Sequence, residues 1–188
     1  MKNYLAFCLL LLSANLCFAQ ETSEGESLTQ RDTGKNDISV NAFNLVAFGI
    51  IDVTYERVIN NNSSWALEAF YHPSKDDYID EAYYKDFSLT GKYKHFFSSS
   101  YARGFYVHSF GMFSSGEYES DYIMIMDGPA YYETEKYSDF ALGFGLGGKF
   151  ISPGGFMVDL SSGIGRNLFN SQSPKVVGQF MINLGYRF

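Results

Sequence analysis

From Ile51 onward the chain alternates. Ile51, Val53 and Tyr55 fall on one side of an extended segment, and Asp52, Thr54 and Glu56 on the other. Trp65, Leu67, Ala69 and Tyr71 oppose Ala66, Glu68 and Phe70 in the same way, and Phe87, Leu89, Gly91 and Tyr93 oppose Ser88, Thr90, Lys92 and Lys94. Later, Phe140, Leu142, Phe144 and Leu146 oppose Ala141, Gly143, Gly145, Gly147 and Lys149. Phe156, Val158, Leu160 and Ile164 oppose Met157, Asp159, Ser161, Gly163 and Gly165. The closing stretch sets Val176, Gly178, Phe180, Ile182, Leu184, Tyr186 and Phe188 against Val177, Gln179, Met181, Asn183, Gly185 and Arg187. A period of two is the signature of a strand with unlike faces. Two further segments read as strands less sharply. Ile38 to Ala47 alternates weakly and stops at a turn or bulge at Gly49. Gly104 to Tyr118 has two partly apolar faces, so its pattern does not declare which is inner.

The count is eight strands within residues 37–188. A strand crossing a bilayer needs about 9–11 residues, which fits this spacing with connections to spare. The connections alternate in length. Those at Asn60-Asn61-Asn62, at 98–103 and at Pro153-Gly154-Gly155 are short; 72–85 and 119–136 are long and carry Asp, Glu and Tyr. Asn tolerates the left-handed backbone that tight turns require. Short turns at one end and long loops at the other is the arrangement of outer-membrane barrels.

The start of the chain reads differently. Lys2, the apolar run Tyr4–Leu12 and the Cys17-Phe18-Ala19 end describe a secretory signal peptide over residues 1–19, cleaved after Ala19. Residues 20–36 are polar and without period, and read as a flexible tail. Both cysteines, Cys8 and Cys17, fall in the leader, so the expected mature chain has no disulfide, thiolate metal site or cysteine nucleophile. The net charge of −7 argues against a nucleic-acid partner. No apolar run after Leu16 is long enough for a spanning helix. An exported chain is then either soluble or crosses by strands, and strands in lipid must close into a barrel to satisfy their backbone.

Aromatic residues make up 18% of the chain, more than a soluble domain of this size needs. They sort by position: Trp65, Phe97, Tyr101, Phe105, Phe150, Phe156, Tyr186 and Phe188 near the short turns, and Tyr71, Tyr118, Tyr137 and Phe169 near the long loops. Two such belts are what an interfacial barrel uses. This ensemble resembles the small eight-stranded outer-membrane barrels typified by the transmembrane domain of outer membrane protein A and by the outer membrane protein X group. The stretch Val40–Tyr71, with its Asn-rich turn after VTYERVI, resembles a family of small outer-membrane barrels of Gram-negative bacteria. The resemblance implies an all-β, eight-stranded antiparallel up-and-down transmembrane β-barrel in the outer membrane. It also implies a C-terminal aromatic strand (Phe180, Ile182, Leu184, Tyr186, Phe188) read by the barrel-insertion machinery, with lipid and lipopolysaccharide as surroundings.

The expected inner faces carry Asp52, Glu56, Glu68 and Asp159 together with Lys92, Lys94, Lys149 and Arg187. Four acids balance four bases, and an eight-stranded interior is just wide enough for side chains, so an ion-pair network filling the lumen is expected. A small polar channel is the sharper alternative: Gly143, Gly145, Gly147, Gly163 and Gly165 would leave space, unless Phe70, Met157 or Met181 fills it from opposite. A lipopolysaccharide-modifying enzyme would need a histidine beside a serine or acid. His95 and His108 fall toward the short turns, His108 and Ser109 point to opposite faces, and Pro73 interrupts His72 and Ser74. A soluble lipocalin-like carrier of a small apolar ligand fits the alternation with the faces reversed. The long connections offer acidic, Tyr-rich surfaces to a surface protein or ligand, and Ile123-Met124-Ile125-Met126 could extend a strand or offer an edge to one. No cofactor, metal site or catalytic residue is expected, and the role read from the chain is structural or surface interaction.

Overall fold

A computed structural model of the chain describes residues 34–73, 85–98, 100–123, 131–170 and 173–188, with the backbone alone for 118–123 and 131–135. The expected leader (1–19) and most of the expected tail (20–36) lie outside the described residues. The strands are β1 Asn36–Asn41, β2 Ile51–Asn60, β3 Ser63–Tyr71, β4 Phe87–Phe96, β5 Gly104–Ile123, β6 Tyr131–Ile151, β7 Phe156–Asn167 and β8 Val176–Arg187. One helix, α1 Ala42–Phe48, follows β1. Each strand pairs antiparallel with the next, and β8 closes on β1 from Asp37–Arg187 to Asn41–Asn183. The fold is a closed eight-stranded up-and-down barrel.

Register fixes its shape. Stepping round from Asp37 through Glu56, Ala66, Lys92, Phe110, Gly143 and Gly165 arrives at Val177, ten residues before Arg187, the partner of Asp37. A stagger of that size around eight strands tilts them by about 40° and sets a backbone radius of about 8 Å. A barrel of that radius is just wide enough for side chains to fill. The alternation read from β2, β3, β4 and β8 becomes an inside and an outside: in β4 Ser88, Thr90, Lys92 and Lys94 are buried, while Phe87, Leu89 and Tyr93 are exposed. The barrel is inverted relative to a soluble protein, with charge inside and hydrocarbon outside. Phe144, on the outer face of β6, is 71% exposed, whereas Lys149 on its inner face is 0% exposed.

Four expectations are corrected. The segment Ile38–Ala47 is not one strand: β1 ends at Asn41, and α1 begins at once. Asn41 caps it, its Oδ1 accepting from the Asn44 N–H at 3.3 Å, and Gly49 ends it in the left-handed region at φ 66°. A short, mostly apolar segment carries either structure, and here the two caps favour the helix. The connection 119–136 is mostly strand. β5 and β6 continue as a two-stranded hairpin, through Tyr118–Glu135 to Ile123–Tyr131, beyond the last β4 rung at Ser115 and the last β7 rung at Ala141. Tyr137 belongs to the interior and not to an outer aromatic belt; Tyr101 is half-buried beside Arg187. Finally, the glycine face of β6 and β7 is covered by the neighbouring strand, not by Phe70, Met157 or Met181 from opposite.

That cover resolves β5. Its inner face is Tyr106, His108, Phe110, Met112 and Ser114, and its outer face includes Phe105, Val107, Ser109 and Phe113. Tyr106, His108 and Phe110 stand in register with Gly147, Gly145 and Gly143. A methyl group on those glycines would lie 2.5 Å, 2.5 Å and 2.3 Å from the respective ring. The rings therefore lie flat across bare backbone, the arrangement by which aromatics cover glycines in a strongly coiled sheet.

Candidate functional site

The lumen holds the residues with chemistry, in two unlike halves. Toward the short turns they form one continuous ionic network. Glu56 is its centre: it accepts from Ser64 Oγ at 2.7 Å, from Lys94 Nζ at 2.7 Å, and from Lys149 Nζ. Lys94 also reaches Asp159 at 2.7 Å, and the Tyr106 hydroxyl donates to the other Asp159 oxygen at 2.6 Å. Lys149 continues to Asp37 at 3.0 Å. Arg187 closes the chain of contacts with two bonds to Asp37, at 2.7 and 2.9 Å, and two more to the carbonyls of Tyr101 and Ala102. Three carboxylates and three cations thus neutralise one another, each with near-complete hydrogen bonding. That is the condition under which buried charge is tolerated. Below the network, Val58, Phe96, Ala102 and Tyr106 pack as an apolar floor.

Toward the long hairpin the lumen is polar but thinly bonded. Lys92 pairs with Glu68 at 2.6 Å and touches Met181 Sδ at 2.8 Å. Asp52 accepts from Asn41 Nδ2 at 3.0 Å and Asn44 Nδ2 at 2.9 Å, both at Oδ2. Lys85, just before β4, lays its ammonium over the Phe70 ring at 4.2 Å, with Met112 Sδ at 3.9 Å. Burial lowers its pKa below the ordinary lysine range, against the opposing pull of Glu68 and Asp52. The hydroxyls of Ser88 and Thr90 and both nitrogens of His108 are buried and have no hydrogen-bond partner among the described residues.

All eight residues expected in the lumen, Asp52, Glu56, Glu68, Lys92, Lys94, Lys149, Asp159 and Arg187, are buried there. Five of them join the lower network, Glu68 and Lys92 form a separate pair, and Asp52 stands apart with amide partners. Sequence reasoning missed Asp37, Tyr106, Asn41 and Asn44. Asp37, Ser39 and Asn41 are the polar alternate positions of β1, a signal that was present but short. On β8, Phe180, Leu184, Tyr186 and Phe188 are exposed on the outer face, with Ile182 half-buried.

A third cluster ties down the rim. Asp139 accepts from the backbone N–H groups of Phe140, Phe169 and Asn170 at 2.7, 3.0 and 3.2 Å, and from the Ser173 hydroxyl. It thereby fixes the β7–β8 connection to β6. His95 points outward, His72 and His108 inward, and His108 and Ser109 lie on opposite faces. No group of three or more His, Cys, Asp or Glu converges on a common point among the described residues. Residues 74–84 and 124–130, which carry most of the acidic and tyrosine side chains of the long connections, lie outside the described residues. Compared with family models, with curated proteins and with solved structures, the chain found no match.

Proposed function

We propose that the chain is a small outer-membrane barrel of structural and surface-interaction type, similar in kind to the outer membrane protein A and X group. One observation carries the reading: the polarity is inverted. A closed barrel with a neutralised ionic lumen and an outer surface of Leu, Val, Ile and Phe suits hydrocarbon and would be an aggregation hazard in water. The same inversion tells against a lipocalin-like carrier, whose interior would have to be apolar. Against a lipopolysaccharide-modifying enzyme stands the geometry of the histidines, since neither nitrogen of His72 or His108 has a hydrogen-bond partner among the described residues.

In this reading the ionic network and its apolar floor plug the bore, so the barrel passes no ions. The outer face of β8, ending at Phe188, is the strand the insertion machinery reads. Lipid and lipopolysaccharide cover the apolar band. The β5–β6 hairpin projects beyond the rim, and its acidic, Tyr-rich sequence is the part offered to a surface protein or ligand. Planar-bilayer recording tests this directly. Protein folded into the bilayer is expected to give no unitary current steps; steady single-channel conductance would refute a plugged lumen.

A further inference from the structure

The barrel wall is a strand ladder except beside α1. The β1–β8 ladder ends at Asn41–Asn183, while β8 runs seven residues further to Val176. In the space where β1 would continue lies α1, its Phe43 ring edge-on to Phe180 at 5.3 Å. The helix turns hydrocarbon outward, with Val46 86% exposed, and its buried residue is Asn44. A helix of seven residues does not hold itself. This one is held outside by Phe43 on Phe180 and inside by Asn44 on Asp52, between the Asn41 cap and the left-handed Gly49.

Asp52 is unlike the other lumen acids. Asp37, Glu56, Glu68 and Asp159 each lie within 4 Å of a Lys or Arg; Asp52, among the described residues, does not. It is 2% exposed, its partners are two neutral amides on one oxygen, and its Oδ1 has no hydrogen-bond partner among the described residues. The two nearby cations are engaged elsewhere: Lys92 pairs with Glu68, and Lys85 lies over Phe70 beside Met112. A buried carboxylate without a cationic partner is complementary to a cation that can donate hydrogen bonds.

We propose that α1 is a side door into the upper lumen, and that it admits a membrane amphiphile with an ammonium head group. The ammonium takes Asp52 in place of Asn41 and Asn44, and the alkyl chain stays in the lipid. The ammonium brings a full positive charge to a carboxylate otherwise held by two uncharged donors, so the same event that binds the head removes the inner hold on the helix. Lateral entry follows from the architecture: the short-turn end is closed by the network and its floor, and the break in the ladder faces the apolar band. The inference rests on the membrane reading above.

The test uses the full chain with Cys8 and Cys17 changed to Ser, folded into phosphatidylglycerol vesicles. The probes are a spin-labelled alkylammonium and a chain-matched alkyl sulfate, and the readout is the motionally restricted fraction of each. The native protein is expected to restrict the ammonium at least about two-fold more than the sulfate. That excess should vanish in Asp52→Asn. It should vanish again when Phe43→Cys and Phe180→Cys are joined by a reducible bifunctional thiol linker, and return on reduction in the same sample. Equal restriction of the two probes by the native protein, or an excess that survives the linker, overturns the door. If the native protein in these vesicles shows no fast-running unheated gel band, the barrel is absent, which overturns the membrane reading and the door with it.

Discussion

Lys94 and Asp159 are 65 residues apart in the chain and 2.7 Å apart in the lumen. The same ammonium holds Glu56 at 2.7 Å. One side chain from β4 thus ties β2 to β7 across the bore, and the barrel is braced from inside as well as by its ladder.

Removing that brace leaves two carboxylates without their shared cation. Lys94→Met is expected to cost about 3–5 kcal/mol in urea unfolding from lipid vesicles, the range for breaking a buried ion pair from one side. Asp159→Asn added to it should recover part of the loss, because the second change removes one of the stranded charges. Costs that simply add would mean that the two side chains do not interact.

The aromatic cover makes an unusual demand on glycine. Gly147→Ala puts a methyl 2.5 Å from the Tyr106 ring and 2.7 Å from the Leu160 carbonyl oxygen, and should destabilise by about 1–3 kcal/mol. Gly91→Ala, with nothing within 4 Å of its added methyl, should fall within about 0.5 kcal/mol of the parent. Equal costs in thermal or urea unfolding would show that ring packing is not what reserves the inner positions for glycine.

The outer surface gives a sharper discrimination. Leu89 is exposed on the outer face of β4, in register with Ala69 and Phe113. On a water-facing surface Leu89→Arg would change stability by less than about 0.5 kcal/mol. In the middle of a bilayer it should cost about 2–4 kcal/mol. Unfolding titrations of the two proteins separate these cases.

For assembly, Phe188→Ala is expected to lower the yield of folded barrel in the outer membrane several-fold, more than Tyr83→Ala in a long connection. Quantitative blotting of the membrane fraction reads this. Equal yields would remove the special role given to the closing strand.

How much of this was legible in the chain depended on whether a strand declares its own faces. β2 and β4 did so, because acids or lysines alternate with large apolar residues. β5 did not: Tyr106, Phe110 and Met112 are inner residues with apolar side chains, and Tyr106 and Phe110 cover glycines more than thirty residues away. Only the register between strands makes that pairing visible. The helix was hidden for a local reason. A mostly apolar segment bounded by Asn41 and Gly49 satisfies a short strand and a short helix equally; the two caps favour the helix, and Asn44 turning inward to Asp52 adds a tertiary contact that no local pattern shows. The lumen charges could be read as a set but not as pairs, since Glu56 finds Lys149 and Lys94 from strands distant in sequence. Asp37 escaped notice because β1 is too short to establish a period.

The central claim is a closed, internally braced barrel that lives in the outer membrane. Gel mobility of the outer-membrane fraction in SDS, heated and unheated, tests it most directly. The account predicts a band in that fraction that runs faster unheated than boiled, because a barrel held by its ladder and ionic core stays compact in the detergent. Recovery of the chain in the soluble periplasmic fraction, or a band indifferent to heating, would contradict it.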